Sequence, residues 1–87
     1  MTSGLLNKAV EDKIKHYLAT EFPNPGFELQ EDTDLLNDWF VDSLGIINTL
    51  VFLESEFKVR IARGEINGEN FRNVLTLSHL IRHKMKT

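Results

Sequence analysis

The apolar residues of this chain recur at helical spacing, and nowhere does a period of two run long enough to build a sheet. Leu6, Val10, Ile14, Tyr17 and Leu18 fall on one side of a helix over residues 5 to about 20, with Ser3 placed to cap its start. Pro23, Pro25 and Gly26 then stop it. After a long loop, Asp42 is placed to cap a second helix that starts at Ser43. Thr76 is placed to cap a last one, with Leu77, Leu80, Ile81 and Met85 inward. A short helix is expected over residues 69–73. The alternation in "FKVRI" is brief and has no partner strand. The spacing therefore predicts an all-α bundle of three main helices plus one short helix, in one domain over residues 1–87.

The loop before Ser43 is too long to be structureless in a compact domain, so Leu29, Leu35, Leu36 and Phe40 are expected to pin it to the core. On a wheel of the second helix, Ile46, Ile47, Leu50, Leu53 and Phe57 share a face, which is expected to be core. Gly45, Asn48, Thr49, Ser55 and Glu56 lie opposite, Leu44 and Val51 at the border, and Phe52 among the polar residues.

Several chemistries are excluded. With no cysteine among 87 residues there is no disulfide, no thiol nucleophile and no cysteine zinc site. His79 and His83 stand four apart without a third ligand, so no metal site is expected. "DTDLLN" opens like a calcium loop, but Asn37 holds the place of the turn glycine and Ser43 that of the closing glutamate. There is no G-x-S-x-G elbow, no glycine-rich phosphate loop and no base close to Ser43 in sequence, so the chain is not expected to be an enzyme.

Charge narrows the partners. All thirteen acids lie before residue 70, with Glu28, Glu31, Asp32, Asp34, Asp38 and Asp42 running without an intervening base. Four bases and no acid follow. Such a loop repels nucleic acid and attracts a basic protein. No apolar run is long enough to span a membrane, and "MTSGLLNKAV" lacks a signal-peptide layout, so a cytoplasmic monomer without membrane insertion is expected.

Ser43 is the residue these exclusions leave. It is expected in the first turn of a helix, where free N–H groups and the positive end of the helix dipole favour a phosphate. Here the chain resembles the acyl carrier protein family, which includes peptidyl and aminoacyl carriers. "DSLG" followed by an apolar helix ending in "LESEF" resembles the modified serine and second helix of that family. "DTDLLNDWFVDSL" resembles the lead-in of stand-alone carriers, "FKVRI" the segment after the second helix, and "ENFRNVLTLSHLI" the short third helix and the start of the fourth.

The resemblance implies that Ser43 carries 4'-phosphopantetheine, installed from coenzyme A by a phosphopantetheinyl transferase. The thiol of that arm would hold an acyl group as a thioester for partners in fatty-acid, lipid or secondary-metabolite synthesis. A loading ligase and a downstream acyltransferase or synthase are the implied further partners. An aminoacyl or peptidyl cargo, D-alanyl included, is the alternative, and an unmodified helical interaction module is the alternative of another class. Asp42 is expected to help position the modifying enzyme, with Leu44, Val51, Phe52, Glu54, Glu56 and Trp39 as candidate partner contacts.

Two departures stand out. Trp39 occupies a place where related carriers often have glycine, so either the loop runs differently or the indole packs onto the core. The second helix is also poorer in acid than in carriers of fatty-acid synthesis.

Overall fold

The structure, a computed structural model, describes the backbone of residues 2–24, 26–40 and 43–85, and their side chains from Lys8 onward. It is all-helical among the described residues. Helix α1 spans Thr2–Glu21, α2 Ser43–Phe57 and α3 Val74–Met85. A five-residue π-helical turn, Leu35–Trp39, interrupts the loop before α2, and a single 3₁₀ turn, Arg63–Glu65, follows α2.

Helix α1 begins earlier than the spacing implies, so Ser3 is already helical rather than the cap. It ends where Phe22 donates its N–H to the Leu18 carbonyl at 3.1 Å, since a residue before proline is pushed out of the helical region. Val10, Ile14 and Leu18 are buried as expected and Tyr17 half-buried, while the Leu6 side chain lies outside the described residues. They share one core with Val74, Leu77, Leu80 and Ile81 of α3, and α1 packs chiefly on α3.

The start of α3 differs from expectation. Asn73, not Thr76, caps it: the Thr76 N–H donates to Asn73 Oδ1 at 2.8 Å, and the Asn73 N–H donates to Thr76 Oγ1 at 3.1 Å. This is a reciprocal box with threonine at the third helical position. Met85 is not inward but 41% exposed, at the last residue of the helix.

Nor is there a short helix over residues 69–73. That segment forms turns, because asparagine side chains take the backbone groups a helix would use. Asn67 Oδ1 accepts from the Asn70 N–H at 2.9 Å, and Asn70 Nδ2 donates to the Glu65 carbonyl at 2.9 Å.

The long loop is pinned as its leucines imply. Leu29, Leu35 and Phe40 are buried, and Leu36 packs against the core. Backbone bonds tie the loop to the segment before α3 and to the first turn of α3. The Leu35 N–H donates to the Arg72 carbonyl at 2.7 Å, and the Leu75 N–H donates to the Glu31 carbonyl at 3.3 Å.

Helix α2 is rotated from the expected face. Its buried residues are Gly45, Thr49 and Leu53, a stripe at i, i+4 and i+8. Ile46, Leu50, Phe52 and Phe57 are partly buried, and Ile47 is 54% exposed. Small residues let the helix approach its support closely. A Cβ on Gly45 would lie 3.0 Å from Phe40 Cδ1 and 3.4 Å from Phe22 Cε1. The Thr49 hydroxyl is satisfied within the helix by the Gly45 carbonyl at 2.8 Å, so its burial leaves no polar group unpaired.

Candidate functional site at the start of helix α2

Ser43 is the first residue of α2 and is exposed. Asp42, expected to cap the helix, to join Ser43 in the cofactor-binding site and to help position the modifying enzyme, lies outside the described residues. Two anchors hold the chain on either side. Before Ser43, Trp39 and Phe40 are buried; after it, Gly45 sits against Phe40 and Phe22.

The π turn itself is heavily bonded. Asp34 caps it, its Oδ1 accepting from the Asn37 N–H at 3.1 Å and its Oδ2 from Asn37 Nδ2 at 2.8 Å. These bonds, from the Asn37 side chain first, hold the Asp34 carboxyl below its usual range. Phe40 closes the turn by donating its N–H to the Leu35 carbonyl at 2.7 Å.

The surface running away from Ser43 is apolar. Leu44, Ile47 and Val51 are 59%, 54% and 57% exposed and follow one another at i, i+3 and i+7, one stripe along the helix. No charged residue occurs from Ser43 to Leu53. Leu44 and Val51 thus lie where partner contacts are expected, and Ile47 joins them, having been assigned to the core.

The remaining candidates are placed differently. Phe52 is partly buried and stacks on Tyr17 of α1, with ring centroids 4.0 Å apart and planes 9° apart. It belongs to a row of rings, Phe40, Phe22, Tyr17, Phe52 and Phe57, each in edge or stacked contact with the next. Trp39 is 6% exposed, a core residue rather than a surface contact; its indole N–H donates to the Leu18 carbonyl at 3.2 Å.

Both acids of α2 are engaged within the molecule. Glu54 Oε2 accepts from the Ile61 N–H at 2.9 Å, and Glu56 Oε2 pairs with Lys13 of α1 at 2.9 Å. The acidic loop is partly spent as well, since Glu31 Oε2 pairs with Lys15 at 3.3 Å.

The arrangement offers an exposed serine at the first residue of a helix. No group of three histidine, cysteine, aspartate or glutamate side chains suited to a metal ion occurs among the described residues. No helix among them is long and apolar enough to cross a membrane. No protein-family model and no curated protein matches the chain.

The exposed stripe had one sequence signal that volume-based reasoning passes over. Gly45 and Thr49, small residues four apart, mark the close-packed side of a helix that is apolar nearly all round.

Proposed function

We propose that the chain is a stand-alone carrier protein of the acyl carrier type, with Ser43 as the attachment point of 4'-phosphopantetheine. The observation that carries this reading is the exposed Ser43 at the first residue of α2, with the apolar stripe Leu44, Ile47 and Val51 leading away from it. An enzyme that reaches Ser43 from outside meets that stripe.

The residues suit the group. Ser43 is open to solvent, so a bulky arm can be added without displacing core side chains. The positive end of the α2 helix dipole favours a phosphodiester beside Ser43. In the transfer, Ser43 Oγ forms a bond to the phosphorus of coenzyme A that bears the pantetheine. The bond from that phosphorus to the nucleotide half breaks, and the serine proton passes to a base of the transferase. Once attached, the arm supplies the thiol that this cysteine-free chain lacks, and an acyl group rides on it as a thioester.

The charge pattern shapes the partner set. With Glu54 and Glu56 bonded internally, α2 presents apolar rather than acidic contacts, which separates this chain from carriers that use an acidic second helix. The acidic loop remains available to steer a basic transferase.

Incubation with coenzyme A carrying a fluorescent group on its thiol, and a broad-specificity phosphopantetheinyl transferase, tests the proposal. The parent is expected to become labelled and Ser43→Ala to stay dark. Equal labelling of both, or of neither, rejects Ser43 as the attachment site.

A further inference from the structure

We infer that Trp39 is the positioning residue of Ser43: its indole fixes the π turn that precedes the serine. The consequence for modification rests on the carrier reading, whereas the anchoring stands on geometry alone. Trp39 ends the π turn, four residues before Ser43. Four Cα steps of 3.8 Å span at most about 15 Å, so whatever fixes Trp39 restricts where Ser43 can go.

A core made of leucine, isoleucine and phenylalanine does not need tryptophan as filler. Phenylalanine would fill most of the volume without bringing a buried N–H that demands an acceptor. Here the indole N–H has one, the Leu18 carbonyl in the last turn of α1, at 3.2 Å. The same carbonyl accepts the Phe22 N–H at 3.1 Å, so the bond joins the turn to the point where α1 ends. Apolar packing tolerates sliding, but a hydrogen bond is directional and sets how the turn lies against the end of α1.

The other end of the turn is tied separately. The Leu35 N–H donates to the Arg72 carbonyl at 2.7 Å, next to the start of α3. The π turn is therefore strung between α1 and the α3 entry, and its exit residue Phe40 packs against Gly45 beyond Ser43. Without the indole bond, one of these two ties is lost and the turn keeps only its tie to the α3 entry. A misplacement of about 1 Å is enough to slow a group transfer by about a hundredfold, so loss of the tie should register in turnover.

Trp39→Phe tests this with two readouts. The first is hydrogen exchange at the amides of residues 47–49, which close the first turns of α2. We expect exchange there to quicken about tenfold relative to the parent, while amides in the middle of α1 keep their parental protection. The second is transfer from coenzyme A by a broad-specificity transferase. Here kcat is expected to fall about tenfold with KM within twofold, because the exposed stripe is untouched. Val10→Ala, which loosens the core about two helical turns before Leu18 and leaves the indole bond in place, is the control and should keep kcat within twofold.

Unchanged exchange at residues 47–49 overturns the inference, as does exchange that rises equally throughout α1. A control that loses kcat by the same factor overturns it too. If the parent accepts no arm while the exchange difference is present, the carrier reading falls and the anchoring stands. Should Trp39→Phe fail to fold, the parent decides. Trp39 is the single tryptophan, and its indole proton must exchange at least tenfold more slowly than in a free indole. An unprotected indole proton overturns the inference.

Discussion

Tyr17 of α1 and Phe52 of α2 lie face to face, ring centroids 4.0 Å apart, and this stack seats the second helix on the first. Phe57 meets Phe52 edge-on at 6.2 Å and Phe22 meets Tyr17 edge-on at 6.1 Å, so the stack is the middle of a continuous row. Helix α2 thus meets α1 through the Phe52 ring in its second half, and the Lys13–Glu56 pair links the same two helices near the far end.

Phe52→Ala should accordingly cost about 2 to 4 kcal/mol, as truncation of a packed aromatic does, rather than the few tenths of a surface change. Urea unfolding of parent and variant measures it. A loss under about 0.5 kcal/mol would mean that the ring carries no weight in seating α2.

Gly45→Ala gives a second test of how closely α2 is seated. In a helix interior alanine gains about 0.5 to 1 kcal/mol over glycine. The added methyl, however, would lie 3.0 Å from Phe40 Cδ1, and the Phe40 ring is buried edge-on against Phe22 with little room to yield. A net loss of about 1 kcal/mol is expected. Gly64→Ala, with nothing within 4 Å of the new methyl, should be neutral or better. Equal melting temperatures for the two variants would contradict the close seating.

The apolar stripe should matter for partners and not for folding. Ile47→Asp replaces a residue that is more than half exposed, so stability should change by no more than about 0.5 kcal/mol. Transfer of the arm should lose about tenfold in kcat/KM, or about 1.4 kcal/mol, if the transferase lies on the stripe. Parental kinetics for this variant would place the docking surface elsewhere.

How far these features could be read in advance differs from helix to helix. In α1 and α3 the apolar residues sit between charged and polar ones, so Val10, Ile14, Leu18, Leu77 and Ile81 identify their own inner faces. In α2 there is no charge from Ser43 to Leu53 to mark the outside. The helical wheel groups Ile47 with the large apolar residues of the expected inner face, whereas Gly45 and Thr49 allow the closest approach and are buried. The Trp39 bond leaves no trace in the sequence, because its acceptor is a backbone carbonyl that any residue could supply. Asn70 and Asn73 fall in the stretch expected to be a short helix, whereas the side-chain bonds of Asn67 and Asn70 decide for turns and Asn73 caps α3. The position of Ser43 at a helix start was readable, since the loop signals end there and the apolar pattern begins.

Acid should destabilise the fold in a defined window. Glu65 is held below the usual carboxylate range by Lys84 first and by the Ala62 N–H next, and Glu31 by its own backbone N–H first and then by Lys15. Depressed folded-state values mean that the unfolded chain binds more protons. Their contribution is therefore present above the unfolded values, and is lost as pH falls through the folded ones. The melting temperature should decline from about pH 5 downward, and Glu65→Gln should start lower at neutral pH with a shallower decline. An identical acid limb in parent and variant would remove Glu65 from the account.

The central claim, that Ser43 is a tether, is tested most directly by the intact mass of the protein after co-expression with a phosphopantetheinyl transferase. The account predicts that the parent gains the mass of one phosphopantetheine arm, with the label on the peptide containing Ser43, and that Ser43→Ala keeps its unmodified mass. A parent that stays unmodified would make the chain a helical interaction module without a prosthetic group, and a Ser43→Ala protein that still gains the arm would place the attachment on another residue.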